Sequence, residues 1–185
     1  MSTLEVVATI ATIVGVVLTF KQHILVWPVS IVSVVSLILL YVSIGMFSQV
    51  VLQCMCLVTC IIGWVNWGGK DTTHINTIST YSVVCDTLLF MVLGVLFACS
   101  MSTLTNTPIT MIILLDGVAA FIGLLANWYL TQKTLEAWKI FMIYNVLLIV
   151  LMYSQGLYLI VGLNVVLFLL SLNGYRVWKR DLKLV

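Results

Sequence analysis

Seven stretches of this sequence run almost without charge, and each is about as long as a helix needs to cross a bilayer. They occupy roughly 4–20, 24–43, 47–67, 80–100, 109–130, 137–154 and 157–178. A spanning helix takes about 20 mostly apolar residues. Uninterrupted apolar runs favour helices, whereas a membrane β-barrel would alternate apolar and polar positions over ten-residue segments. The breaks are short, the longest running from Gly68 to Thr80. With 8% of residues charged, against about 25% in a soluble domain, the chain cannot clothe a globule in water-compatible side chains. A cytosolic enzyme, a disordered tail and a nucleic-acid binder with a basic face are thereby excluded. The reading is an all-α integral membrane protein of seven transmembrane helices, with no room for a domain outside the lipid.

Charge placement supplies an orientation. With seven spans, the loops after the first, third, fifth and seventh share one side. That side collects Lys21, Lys70, Lys133, Lys139, Arg176, Lys179, Arg180 and Lys183, which are all the basic residues of the chain. The positive-inside rule makes it cytoplasmic, with the N-terminus outside and the C-terminus inside. One helix more or fewer would scatter the charges. The first residues carry no basic run and no clear cleavage site, so the first apolar run is expected to remain as a helix. Cys54, Cys56, Cys60, Cys85 and Cys99 all lie within apolar runs and read as small buried hydrophobes rather than a disulfide framework.

The chain also repeats itself at an offset of 111 residues. Trp27 maps onto Trp138, Gly45 onto Gly156, Phe47 onto Tyr158 and Gln53 onto Asn164. Gly63-Trp64-x-x-Trp67 maps onto Gly174-Tyr175-x-x-Trp178, and Glu5 onto Asp116. Each copy holds three helices and ends on the basic side, so the copies are parallel. Two odd-numbered parallel units need one more span between them. The expected organisation is 3+1+3: a first three-helix repeat over 4–70, an inversion linker helix over 80–100 and a second repeat over 109–180. Parallel repeats recur in transporters, with the substrate site near mid-bilayer where the repeats meet.

Polar residues inside the apolar runs are the candidates for chemistry, because a polar group at depth is costly and tends to face the bundle interior or a cavity. Asp116 reads either as a hydrogen-bond acceptor in a pathway or as a tether between helices. Glu5 and Asp86 read as interfacial or structural charges. Gln53, Asn127, Asn145 and Asn164 come from helices three, five, six and seven, and an amide offers donors and an acceptor without net charge. That suits a neutral polar or heterocyclic ligand; the alternative is glue between helices. Trp64, Trp128, Tyr144 and Tyr153 lie beside the amides and could sandwich a flat ring, or could simply fill space. Trp67 at the cytoplasmic end of helix three joins them. Trp27 and Trp178 are read as members of an interfacial aromatic belt. The candidate substrate-binding set is therefore Gln53, Trp64, Trp67, Asp116, Asn127, Trp128, Tyr144, Asn145, Tyr153 and Asn164. There is no P-loop, no zinc-ligand spacing and no nucleophile–base set. No cofactor and no catalytic residue is expected, and facilitated diffusion is the simplest transport mode.

These residues carry a resemblance. Trp27-Pro28, Leu52-Gln53, Gly63-Trp64-x-x-Trp67, Ala126-Asn127-Trp128, Glu136-x-Trp138, Gly156-Leu157-Tyr158 and Gly174-Tyr175-x-x-Trp178-Lys179 together make the chain similar, over nearly its whole length, to the PnuC family of bacterial vitamin transporters. The resemblance implies a 3+1+3 fold built from three-helix units like those of SWEET sugar transporters. It implies a bacterial inner-membrane facilitator that moves unphosphorylated nicotinamide riboside down its gradient, with lipid around it and no nucleic-acid partner. Relatives are thought to carry thiamine or riboflavin, which stand as alternative cargoes. A homo-oligomer is compatible with the resemblance, though no residue pattern specifies one. The chain departs from the family pattern at Cys56, Phe141, Asn145 and Asn164, where Tyr, Trp, Asp and Tyr are common. Asn145 in place of Asp removes a buried anion, which argues against strong selection for a cationic ring. A reading of a different class is a membrane scaffold subunit with no pathway, which predicts that the buried amides pair with one another.

Overall fold

The computed structural model describes residues 3–43, 47–68, 74–156 and 158–182. Gly45, Lys70, Leu157 and Lys183 lie outside the described residues, as do the side chains of Glu5 and Phe47. Seven helices follow one another: α1 (Thr3–Phe20), α2 (Val26–Ser43), α3 (Phe47–Gly68), α4 (Thr80–Thr105), α5 (Met111–Thr131), α6 (Ala137–Ser154) and α7 (Tyr158–Leu182). Among the described residues no strand forms, and the sole extended pairing is an isolated bridge between Asn76 and Thr134. Five stretches are long and apolar enough to cross a bilayer: Val50–Gly68, Thr80–Thr105, Met111–Thr131, Ala137–Ser154 and Val161–Leu182. The apolar part of α2, Val26–Leu39, is shorter.

Most ends fall within two residues of those read from the apolar runs; α4 and α7 run further. α4 continues to Thr105, because the hydroxyls of Ser100 and Thr105 donate to the carbonyls of Leu96 and Met101 one turn back. Such back-bonding lets Ser and Thr remain helical where their composition alone suggests a loop. The helix stops at Asn106, whose φ of 53° and N–H bonds to the carbonyls of Ser102 and Thr103 make a left-handed cap. At the other end of α4 the Ser79 hydroxyl accepts from the Ser82 N–H, an N-cap of the usual kind. α7 carries two of its three basic residues, Lys179 and Arg180, inside its last turn, where they complement the helix dipole.

The chain forms two compact units. One comprises Met1–His74 with Leu130–Lys133, the other Ile75–Tyr129 with Thr134–Val185. In the first, α1 lies on α2 and α2 on α3; in the second, α6 lies on α7. Also in the second unit, α4 meets α5 through bare backbone. A Cβ on Gly94 would sit 2.6 Å from the Gly117 carbonyl oxygen, and one on Gly117 would meet Gly94 in the same way. Gly94, Ala98 and Ser102 recur every fourth residue and are the buried residues of α4. This small-residue stripe lets two membrane helices come close.

The connections α1–α2 and α5–α6 are built alike. Gln22 and Lys133 both take φ of 51°. The N–H of Gln22 bonds the Thr19 carbonyl at 3.0 Å, as that of Lys133 bonds Leu130 at 3.0 Å. The next N–H reaches five residues back in each case, His23 to Leu18 and Thr134 to Tyr129. The helices then restart with Val26 bonding His23 and Ala137 bonding Thr134. Every pair is separated by 111 residues.

A second correspondence lies in the tryptophans. The Trp27 indole covers Gly63 so closely that a Cβ there would overlap the ring, and Trp67 meets it edge-on with centroids 5.3 Å apart. Trp138 covers Gly174 and meets Trp178 edge-on at 5.5 Å. Trp27 is 1% exposed and Trp178 is fully buried. Their assignment to an interfacial belt is therefore corrected. For Trp27, Gly63 on the facing helix opens a slot that takes the whole indole, and Trp178 is buried edge-on against Trp138, so both rings go inward rather than to the headgroups.

Candidate functional site

Among the expected residues, Asn145 has the most distinctive surroundings. It lies mid-way along α6 and is 3% exposed. Its Nδ2 donates to the Phe141 carbonyl one turn back, at 2.7 Å. Its Oδ1 is fully buried and has no hydrogen-bond partner. Since a carbonyl can only accept, the nitrogen must face Phe141, which settles the amide orientation. The Phe141 ring leans against Trp138, with centroids 6.3 Å apart and planes inclined at 53°. Residues one turn apart share a helix stripe, so Asn145 and Phe141 present an amide and a ring on the same side of α6.

The other candidates of the second unit distribute unevenly. Asn127, on α5, turns its Nδ2 to its own helix, to the Gly123 carbonyl at 3.1 Å. Asp116 is half-buried about three turns earlier and falls on nearly the same stripe, about 20° away at 100° per residue. Trp128 follows Asn127 by one position and is exposed. Tyr144 lays its ring over Gly123, where a Cβ would lie 2.8 Å from the ring edge, so it joins α6 to α5. Asn164, on α7, is buried. Tyr153 is 65% exposed, at the C-terminal end of α6, edge-on to Tyr158. Nine residues separate it from Tyr144, about half a revolution of helix, so the two tyrosines do not line one surface. A shallow apolar hollow in this unit is lined by Met142, Ile143, Val146, Leu147 and Phe168; none of the candidates contributes to it.

In the first unit, Gln53, Trp64 and Trp67 fall on one stripe of α3. Gln53 is half-buried and Trp64 is 46% exposed. Trp67 is buried, and its polar and π faces are taken. Its Nε1 donates to the Leu130 carbonyl at 3.1 Å, and the Lys133 ammonium sits 4.7 Å over its ring. Next to it, Asn66 Nδ2 reaches the Thr131 carbonyl. Trp67 thus anchors the last turn of α5.

Several groups outside the candidate binding set hold the second unit together, Asp86 among them, which the sequence marks as a structural or interfacial charge. The Tyr129 hydroxyl donates to the Asp86 carboxylate, joining α5 to α4. The Glu136 carboxylate is buried, accepts the Ile78 N–H at 3.1 Å and lies 3.7 Å from Lys139. The Leu135 N–H bonds the Asn76 carbonyl at 2.9 Å beside the isolated bridge. Lys133, in the same loop, is held below the ordinary lysine range because burial penalises its charge. The apolar-run pattern could show that these residues bordered helices, but not which neighbours they would meet. Among the described residues, no cluster of three or more His, Cys, Asp or Glu could hold a metal ion.

The comparisons with known proteins follow the same fold. A crystal structure of the vitamin B3 transporter PnuC superposes with a TM-score of 0.74 at 19% identity, covering 97% of this chain and 82% of that one. No curated protein sequence gives a significant match. The family described as nicotinamide mononucleotide transporter matches residues 2–180, which bears out the resemblance that the tryptophan and glycine motifs carried. The chain therefore belongs to the nicotinamide mononucleotide transporter family, whose members are multi-pass transmembrane transporters and not enzymes.

Proposed function

We propose that this protein carries nicotinamide riboside into a bacterial cell by facilitated diffusion across the inner membrane. Its N-terminus is outside and its C-terminus cytoplasmic, and it has the 3+1+3 organisation of two parallel three-helix repeats around α4. The observation that carries the reading is Asn145, a buried amide of a family of transporters whose oxygen is not spent on another helix. A scaffold subunit would use its buried amides as glue between helices, worth about 0.6–2 kcal/mol per contact. Asn145 and Asn127 instead turn their nitrogens to carbonyls of their own helices. The twin turns at Gln22 and Lys133 and the twin tryptophan slots support the repeat, since each recurs at the same offset with the same partners. The binding set keeps Gln53, Asp116, Asn127, Asn145 and Asn164 as polar contacts and Trp64, Trp128 and Tyr144 as aromatic ones. Trp67 and Tyr153 are more peripheral, the first occupied by the α5 end and the second turned away from Tyr144.

Uptake of labelled nicotinamide riboside, thiamine and riboflavin into proteoliposomes tests this. The expected result is saturable flux of nicotinamide riboside that is unchanged when proton and sodium gradients are collapsed. Saturable flux of thiamine or riboflavin alone would keep the mechanism and change the cargo. No saturable flux of any of the three would return the scaffold reading.

A further inference from the structure

Two cations from different helices meet at one ring. Lys139, in the first turn of α6, places its ammonium 5.5 Å from the centre of the Tyr175 ring, and Lys179, in the last turn of α7, places its own 5.6 Å from the same centre. Like charges drawn to one point repel, and an exposed ring attracts an ammonium only weakly. The counter-charge nearby is thin. Glu136 lies 3.7 Å from Lys139 but also accepts the Ile78 N–H, and Asp181 lies 4.0 Å from Arg180. Among the described residues no carboxylate reaches Lys179. The fold itself does not require these charges. At the offset of 111 residues Lys139, Tyr175 and Lys179 correspond to Pro28, Trp64 and Gly68. The slot of Trp27, Gly63 and Trp67 closes there as its twin does, with no basic residue on α2 or α3.

The same two helices provide for an apolar chain. The hollow lined by Met142, Ile143, Val146, Leu147 and Phe168 has a volume of about 250 Å³ and only apolar walls. Met142, Ile143 and Val146 follow Lys139 by three, four and seven residues, and Phe168 precedes Tyr175 by seven. On each helix, then, the hollow and the cationic end share a stripe. From the end of the bundle inward the order is cations, ring, apolar hollow, which is the order of groups along an anionic phospholipid. Basic pockets between transmembrane helices take such head groups, and a phosphodiester has two unesterified oxygens with which to face two ammoniums. We propose that α6 and α7 hold one anionic phospholipid, its phosphodiester against Lys139 and Lys179 at Tyr175 and an acyl chain in the hollow. None of the candidate cargo residues lines this site, so it does not depend on which vitamin is carried.

Native mass spectrometry of the purified full-length protein in detergent tests it, with phosphatidylglycerol and phosphatidylcholine of matched acyl chains titrated separately. One phosphatidylglycerol is expected to bind on the order of twentyfold more tightly than phosphatidylcholine, about fivefold for each ammonium. Lys139→Gln and Lys179→Gln should each remove about fivefold of that preference, and the double variant should abolish it. Replacing both lysines by arginine should retain it. Lys21→Gln removes the same charge from an exposed position outside the site and should change nothing. Val146→Phe, which fills the hollow, should weaken binding of phosphatidylglycerol. Equal affinity of the unaltered protein for the two lipids would overturn the inference. So would a loss in Lys21→Gln as large as in Lys139→Gln, since net charge rather than a site would then be read. Displacement of the lipid by excess inorganic phosphate, or affinity unchanged in Val146→Phe, would overturn the lipid as occupant. All these substitutions except Val146→Phe fall on exposed charged side chains, and the two-lipid ranking of the unaltered protein decides the matter should any variant fail to fold.

Discussion

Gly63 and Gly174 look unremarkable in sequence beyond their shared register, yet each decides where an indole goes. The rings of Trp27 and Trp138 lie against the backbone of the facing helix at these glycines, and neither ring has room to retreat, since Trp67 and Trp178 close the far side edge-on. Adding one methyl to a filled interior typically costs about 1–3 kcal/mol. Gly63→Ala and Gly174→Ala are each expected to lower the detergent-solubilised protein's unfolding midpoint by that order, while Gly162→Ala, which meets nothing within 4 Å, should leave it unchanged. Thermal unfolding followed by tryptophan fluorescence measures all three. At this scale the register of the tryptophans was legible, but their burial was not. An aromatic residue at a helix end suits an interfacial belt equally well on composition, and only the glycine across the gap discriminates.

At the scale of elements, α4 is the case in which sequence and structure say different things. Its apolar run suggested a helix ending near residue 100, whereas hydroxyls bonded to their own helix carry it to Thr105. Its contact with α5 is not made by large side chains but by Gly94 against Gly117, backbone to backbone. A side chain at Gly94 would collide with atoms that cannot rotate away, so Gly94→Leu is expected to be more damaging than Gly63→Ala. The anticipated result is loss of folded, monodisperse protein on size-exclusion chromatography. Ala98→Gly, which only removes a methyl, should be recovered at normal yield. The every-fourth-residue spacing of Gly94, Ala98 and Ser102 is visible in the sequence. The helix it serves is not, because a small-residue stripe specifies a close approach without specifying a partner.

For the molecule as a whole, orientation is the feature that charge alone predicts. All basic residues fall on one side of a seven-span arrangement, and the loops at Gln132 and Asn106 should then face opposite compartments. In a background with the native cysteines replaced, Asn106→Cys is expected to react with a membrane-impermeant maleimide added to intact cells, and Gln132→Cys only after the cells are opened. Labelling of Gln132→Cys from outside would invert the topology and with it the direction of the proposed repeats. Both positions are exposed in the structure, so accessibility on the correct side is not limited by burial. Lys133 beside Gln132 would be a poor reporter, since its ammonium is folded over Trp67.

The sequence by itself determined that the chain is a helical membrane protein and where its helices lie, and it shows scarce Trp and Gly residues recurring at a fixed offset. Those properties are local: they depend on the length of apolar runs and on the scarcity of charge, which each segment carries with it. The tertiary structure decided how individual side chains are used. It put Trp27 and Trp178 inside, gave Trp67 to the end of α5, tied Tyr129 to Asp86 and Glu136 to Ile78, and left the oxygen of Asn145 open. Those outcomes depend on which surfaces meet and on the few ångströms a glycine leaves between them, and no stretch of sequence carries that information alone.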